Sequence, residues 1–283
     1  MRNYHERIEG LSFFIAVTAT AFLICAVLLS LSFAEQISAR PKSNFVPRRT
    51  LVSVYYFNEM SGTITKDAAS RSSGTLTSGP SWVKGFHGGG IGFAGGSDRV
   101  TLSNESNYDF IDAVGTFTIV LVRKFTGFGS GFSGFTVTKV NANSVSVGWK
   151  FRDTSVVVND FSFEWADPSN TYKNYTPALP RELVVGGYRV VIVDYSSRSN
   201  GSKASYFKIA VDGKTYPISS DYSEPLALSF VNNNNLVING MDAGLTLGTI
   251  GDDDMVAIYN GAGQTNLADG EIRMITEEIK GRY

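Results

Sequence analysis

Cysteine, histidine and surplus charge are what this 283-residue sequence has least of. The single cysteine, Cys25, excludes an intrachain disulfide framework and any zinc or iron–sulfur site built from several thiolates. Two histidines, His5 and His87, exclude mechanisms that need several imidazoles. Lys and Arg number 25 against 26 Asp and Glu, so no basic excess is present to neutralise a phosphate backbone. No nucleic-acid partner is therefore expected. What is abundant is apolar and aromatic: 43% hydrophobic residues, with 19 Phe and 13 Tyr, rule out wholesale disorder and allow a sizeable core.

A long uncharged run occurs once, from Gly10 to Ala34. As a helix rising about 1.5 Å per residue it is long enough for a hydrocarbon core of about 30 Å. The expectation is a tail at 1–10, a single transmembrane helix at 11–34 and a polar linker at 35–50. The competing reading is a cleaved signal peptide, with Ser32-Phe33-Ala34 as a small-x-small cleavage site. Against cleavage, the run exceeds the roughly 7–15 apolar residues of a signal core, and the leading MRNYHERIEG is not clearly basic. A retained anchor is preferred, which makes the chain a single-pass membrane protein. Its orientation stays open. Arg2 and Arg7 precede the span while Arg40, Lys42, Arg48 and Arg49 follow it, which by the positive-inside rule leaves the large C-terminal part facing the cytoplasm. An N-terminal anchor of the ordinary kind would instead place it on the extracellular or lumenal side. The basic cluster of the linker reads as a stop-transfer flank or as a contact to anionic head groups.

From residue 51 onwards the pattern is one of short alternating runs between Gly, Asn, Asp and Ser clusters. Leu51–Phe57, Phe117–Val122, Phe135–Val140, Val145–Phe151, Arg189–Tyr195, Tyr206–Val211, Leu236–Ile238 and Met255–Tyr259 all suit strands. The one helical candidate outside the anchor is a short turn around Leu267 to Ile272. Many short strands without a βαβ rhythm predict an all-β fold, an antiparallel jelly-roll sandwich over 51–283. In Met255-Val-Ala-Ile-Tyr259, Val256 and Ile258 fall on one face and Met255, Ala257 and Tyr259 on the other, as in a central strand buried on both sides. The glycine-rich stretches 84–96 and 127–134 are read as tight turns at sheet edges. The second contains a formal G-x-G-x-x-G at Gly129, Gly131 and Gly134. A β-rich run follows it rather than a helix, so it is no dinucleotide cradle.

Several segments, in order, carry a family resemblance. Val54-Tyr-Tyr-Phe-Asn-Glu-Met-Ser-Gly62 looks like an opening strand, and Asp67-Ala-Ala-Ser-Arg-Ser-Ser-Gly-Thr-Leu76 like the Asp-rich turn after it. Ile91–Val100 and Gly115–Val122 are similar to the next two strands. Tyr188–Tyr195 stands where a central strand is expected, Ile209-Ala-Val-Asp-Gly-Lys214 resembles a hairpin, and Gly251-Asp-Asp-Asp-Met-Val-Ala-Ile-Tyr-Asn260 resembles the closing strand. Together they make the chain resemble the laminin-G-like, concanavalin A-like lectin–glucanase domains.

That resemblance implies a jelly-roll sandwich and a choice of sites. Domains of this kind often hold one Ca²⁺ at a sheet rim through carboxylates and carbonyls. The candidates here are Asp67, Asp98, Asp252, Asp253 and Asp254. Glycan binding would use aromatic faces and amides, for which Trp82, Trp149, Trp165, Asn232 and Asn233 are available. Relatives that hydrolyse glucans carry a Glu-x-Asp-x-Glu or Glu-x-Asp-x-x-Glu strand that aligns two carboxylates across the scissile bond. No such pattern occurs, and Glu164-Trp-Ala-Asp167, the nearest, reads as an exposed turn. A catalytic role is therefore not expected. The leading reading is a membrane-anchored, non-catalytic recognition or adhesion module that binds glycan or protein. The alternative is a structural jelly roll tethered to a membrane beside neighbouring coat or capsid subunits of a virion or surface layer. A glycan-active enzyme comes third.

Overall fold

A computed structural model describes residues 45–112, 114–128, 133–140, 148–154, 160–166, 172–177, 186–198, 206–220, 232–241 and 248–281. The chain divides into two units, Met1–Arg40 and Pro41–Tyr283, and the described residues lie in the second. The strands are β1 (Thr50–Tyr55), β2 (Ile64–Lys66), β3 (Ser73–Thr77), β4 (Ser81–Lys84), β5 (Gly89–Gly96), β6 (Arg99–Leu102), β7 (Thr116–Phe128), β8 (Ser133–Lys139) and β9 (Gly148–Thr154). They continue with β10 (Asp160–Ala166), β11 (Tyr172–Pro177), β12 (Arg189–Ser196), β13 (Phe207–Val211), β14 (Lys214–Tyr216), β15 (Ile218–Ser220), β16 (Leu236–Ile238) and β17 (Gly248–Asn260). A 3₁₀ turn spans Glu105–Tyr108 and helix α1 spans Asp269–Lys280.

Their pairings form two layers. Sheet A runs β4-β5-β17-β7-β12-β13-β14, with β1 taking the place of β5 along the second half of β17. Sheet B runs β2-β3-β6-β16-β8-β9-β10-β11-β15. All of these pairs are antiparallel, and a parallel bridge at Gly248 and Phe135 touches the layers together. Between them lies one core: Ile119, Leu121, Val191, Val193, Val256 and Ile258 from sheet A meet Val100, Leu102, Val137, Phe151, Phe163 and Ile238 from sheet B. The chain is thus an all-β sandwich with one α-helix among the described residues.

The opposite face of sheet A is apolar too. Val54, Val120, Val122, Val190, Ile192, Met255, Ala257 and Tyr259 project there and are buried under Leu267, Ile272, Ile275 and Ile279 of the α1 region, together with Val46. The two-sided burial expected for Met255–Tyr259 is therefore real, but a helix covers the second face. The short turn expected at 267–272 is the start of that longer helix. Ile272, Ile275, Thr276 and Ile279 recur at i, i+3, i+4 and i+7, which is the spacing of a helical stripe. Glu271 accepts from the Ala268 N–H at 2.7 Å, satisfying one orphan donor of the first turn.

The glycines of 89–96 also differ from the expectation of edge turns, because they form strand β5 beside β17. Ile91 and Phe93 enter the core, while a Cβ on Gly90 would lie 3.1 Å from the Gly85 Cα and one on Gly89 2.6 Å from the Phe57 carbonyl. Close backbone approach is what demands glycine at these two positions.

Two basic residues assigned to the linker's flank are consumed by the sandwich. Arg48 forms a two-bond pair with Glu271 at 3.0 and 2.6 Å, and Arg49 is buried against Asp194. The localisation expected above is corrected here. Among the described residues no helix is long and apolar enough to cross a membrane, so a single-pass membrane protein is not supported. The stretch 11–34 on which that expectation rested lies outside the described residues.

Anchoring of α1 is pH-dependent with a definite sign. Hydrogen bonding from Arg48 holds the Glu271 carboxyl below the usual glutamate range, against a smaller opposing effect of burial. Burial alone raises the Asp212 carboxyl, but bonds from Lys280, the Val190 N–H and Arg189 outweigh it and leave it low. Groups depressed on folding contribute stability that is complete above their unfolded values, about 4, and lost as pH falls through the folded ones. The urea midpoint is expected to hold steady above about pH 5 and to fall below about pH 4. In Glu271→Gln the acid fall should be shallower. Parallel acid curves for the two proteins would show that the Arg48–Glu271 pair contributes nothing.

Candidate functional site

Two of the tryptophans proposed as sugar platforms are unavailable. Trp149 and Trp165 face each other across β9 and β10 and are fully buried in the core. Trp165 packs edge-on to Phe163 at 4.9 Å and to Tyr195 at 5.7 Å between ring centroids. The alternation Phe161, Phe163, Trp165 points these rings inward, so the same pattern that makes β10 a strand removes them from any ligand. Trp82 is half-buried on edge strand β4 and donates to the Gly62 carbonyl at 2.9 Å. Asn232 organises a turn: its Nδ2 donates to the Lys139 carbonyl at 3.0 Å and its Oδ1 accepts from the Asn234 N–H at 2.8 Å. Asn233 is exposed beside it.

The five aspartates do not converge. Asp67 accepts from three backbone N–H groups, those of Val54 (2.8 Å), Ala69 (2.9 Å) and Arg71 (3.0 Å), and so builds the turn before β3. Asp98 accepts from the Ala94 N–H at 2.9 Å and shapes the β5–β6 turn. The other three occupy an irregular stretch of β17, where the register against β7 shifts between Asp253 and Met255. That bulge distributes consecutive side chains to different partners. Asp252 pairs with Lys124 at 3.1 Å, Asp253 with Arg123 at 3.6 Å, and Asp254 with His87. The three consecutive carboxylates are thereby separated, each onto its own partner. The His87 ring bridges the Asp254 carboxylate, through Nδ1, and the Ile279 carbonyl at 3.2 Å, through Nε2, tying the end of α1 to sheet A. Among the described residues no group of three or more His, Cys, Asp or Glu is arranged to hold a metal ion. With four of these carboxylates accepting protein hydrogen bonds and Asp253 at ion-pair distance from Arg123, millimolar Ca²⁺ is expected to leave the melting temperature unchanged. A rise of several degrees would show that a cation displaces those bonds.

Glu164 differs from its expected place in an exposed turn. It sits mid-strand in β10 and is buried on the outer face of sheet B, paired with Lys150 at 3.4 Å and with Arg152. Arg152 also donates to the Ser162 hydroxyl at 3.2 Å. Burial pushes the Lys150 ammonium below the usual lysine range; Glu164 pulls it back up and Arg152 lowers it further. A carboxylate held between two cations is a structural ion cluster, with no second carboxylate beside it among the described residues. Asp167 lies outside them.

This cluster ends a cross-strand row that sequence reading did not detect. Register pairs join Ile64, Thr75, Thr101, Val237, Thr138, Lys150 and Glu164, one from each of β2, β3, β6, β16, β8, β9 and β10. Their sequence neighbours Val100, Leu102, Val137, Phe151 and Phe163 point into the core, so the row lies on the outer face, at about 4.8 Å per strand. Its Thr138–Glu164 end is buried, whereas the Ile64–Thr101 end is open. At the open end is a depression of about 360 Å³ lined by Thr75, Thr77, Thr101, Leu102, Ser103 and Asn235. Four hydroxyls and one amide thus face outward together, and among the described residues no aromatic ring lines them. The only hint in the sequence is the period-two Thr75-Leu-Thr77; that Thr101, Ser103 and Asn235 join it depends on pairing.

No family model matches the chain, and no curated protein sequence matches it. Solved structures do resemble it in fold. Domain 4 of an extracellular arabinanase from Geobacillus stearothermophilus, in complex with arabinotriose, superposes with a TM-score of 0.53 at 12% identity over 81% of this chain and 98% of that one. The binding domain of botulinum neurotoxin serotype D gives 0.55 at 12% identity, over 81% of this chain and 50% of that chain. A sialidase of Trypanosoma rangeli in complex with sialic acid gives 0.50 at 14% identity, over 82% of this chain and 33% of that chain. The chain spans only half of the neurotoxin domain and a third of the sialidase. At such identities the likeness is one of fold, a β-sandwich shared with carbohydrate-associated and binding domains.

Proposed function

We propose that this sandwich is a non-catalytic recognition module of the jelly-roll, lectin-like kind, which binds a hydroxyl-rich ligand of the glycan class on the outer face of sheet B. The observation that carries this reading is the open depression whose lining is Thr75, Thr77, Thr101, Ser103 and Asn235. Hydroxyls both donate and accept, and an amide does the same from two atoms, which matches the donor–acceptor character of sugar hydroxyls. The outer face of sheet A is covered by α1 of the same chain. The fold likeness to a domain solved with arabinotriose supports the class of ligand. Glu164, ion-paired to two cations, takes no catalytic part in this reading.

A glycan array probed with the full chain should show saturable hits. The double variant Thr75→Val, Thr101→Val keeps the shape and removes two hydroxyls, and it should weaken those hits roughly tenfold or more. Its melting temperature should stay close to that of the parent, because Thr75 is exposed and Thr101 half-buried. A blank array, or hits indifferent to the double variant, would overturn the reading.

A further inference from the structure

Three rows of the outer face surround the depression. The first runs through Lys66, Ser73 and Ser103, the second through Ile64, Thr75 and Thr101, and the third through Thr77 and Arg99. Lys66 and Arg99 therefore stand at opposite corners of a patch of hydroxyls. Arg99 is cross-strand to Thr77 and two residues from Thr101, both of which line the depression. Its stem lies along Gly240, where φ is +151° and an added Cβ would come 3.4 Å from the Arg99 Cβ. Its Nη1 donates to the Ser97 carbonyl at 3.2 Å, and among the described residues its buried Nε has no hydrogen-bond partner and no carboxylate pairs with it. Three acids among the described residues are committed elsewhere. Asp98 accepts from the Ala94 N–H, Glu59 accepts from the Lys66 N–H and the Thr65 hydroxyl, and Glu164 is shared by Lys150 and Arg152.

We infer that the ligand of this face is an acidic saccharide, and that its anionic substituent, a carboxylate or a sulfate, is received by the Arg99 guanidinium, with Lys66 as the outlying second cation. This rests on the glycan reading and narrows it. The physical reason is the composition of the depression. Exchanging water for a sugar at neutral hydroxyls gains little net free energy per bond, and among the described residues no aromatic ring supplies a stacking surface. Charge-assisted bonds are about twice as strong as neutral ones, and a guanidinium presents a planar fork that matches a carboxylate or sulfate. A patch of hydroxyls edged by a guanidinium with no carboxylate partner is suited to a ligand with both kinds of group. The apolar Ile64, 46% exposed beside Thr75, is available to cover the carbon face of a ring.

The test titrates the full chain by calorimetry with three trisaccharides: a neutral one, a hexuronate one and a sulfated one. One or both anionic probes should bind at least tenfold more tightly than the neutral one, and which of the two does so names the substituent. The advantage should shrink as salt rises from about 0.05 to 0.5 M. Arg99→Gln should abolish the preference while leaving neutral binding in place, and Arg99→Lys should restore part of it. Thr75→Val, Thr101→Val should weaken every probe alike and keep the preference. Equal affinity for all three, or a preference untouched by Arg99→Gln, would overturn the inference and leave the glycan reading standing. Failure of all three to bind would overturn both. Melting temperatures of the variants within about two degrees of the parent would confirm that each is folded.

Discussion

Replacing Asp194 by alanine is expected to remove a large part of the stability of the sandwich. Its carboxylate accepts from Thr118 Oγ1 at 2.7 Å, Arg49 Nη2 at 3.1 Å, Asn266 Nδ2 at 3.0 Å and the Leu267 N–H at 2.7 Å. Both partners of the Arg49–Asp194 pair are 0% exposed. Arg49 reaches it from the lead into β1, Thr118 from β7, and Leu267 from the lead into α1, so one residue on β12 joins four parts of the chain. Alanine would strand the Arg49 cation in a low-dielectric interior, still held by Thr118 and the Thr265 carbonyl but without its counter-charge. Breaking a buried pair in this way costs about 3–5 kcal/mol, against a total of roughly 5–15 kcal/mol for a domain. Urea unfolding followed by circular dichroism should show a midpoint lowered accordingly. The double replacement Arg49→Met, Asp194→Leu should recover much of the loss, since the cost lies in the orphaned charge. A shift under about 1 kcal/mol for Asp194→Ala would show that the network is relaxed by water or rearrangement.

Trp165→Ala is the second large effect, and it separates a core role from a ligand role. The indole is surrounded by Phe117 at 6.1 Å, Phe163 at 4.9 Å, Tyr195 at 5.7 Å and Phe207 at 6.1 Å between centroids. These rings come from β7, β10, β12 and β13, so both sheets lean on it. Truncation of a buried aromatic to alanine costs about 3–5 kcal/mol, because the cavity closes only in part. The melting temperature should fall by more than about ten degrees, with loss of near-ultraviolet circular dichroism. Trp82→Ala, on the edge strand, should cost far less. If Trp165→Ala kept full stability and lost only ligand binding, the ring would be a platform after all.

These two residues show how unevenly the fold could be read. Strands β7, β12 and β17 were legible because their residues alternate between two apolar faces over long runs. Strand β10 carries an equally clear pattern, Phe161-Ser-Phe-Glu-Trp165, but its acidic and aromatic ending has the composition of an exposed turn. Helix α1 escaped because three isoleucines are interleaved with Asp269, Glu271, Arg273, Glu277 and Lys280, so a stripe of three or four residues had to stand out from a charged surround. Asp194 gave no sign at all. An aspartate in Val-Ile-Val-Asp-Tyr looks like a strand's solvent face until Arg49, far upstream, is found beside it.

Dense apolar and aromatic alternation determined, from sequence alone, an all-β chain, and the scarcity of cysteine and histidine excluded chemistry that needs several thiolates or imidazoles. Those properties are local or compositional, so they survive reading in one dimension. The partners of the consecutive aspartates, the helix on sheet A and the row from Ile64 to Glu164 belong to the tertiary structure. Each arises where segments remote in sequence are brought together, by strand register in the row and by packing in the helix. A shift of one residue in that register would turn every threonine of the depression into the core and every core aliphatic out to water. The open hydroxyl face with Arg99 at its corner is therefore a consequence of pairing, written in no single segment of the chain.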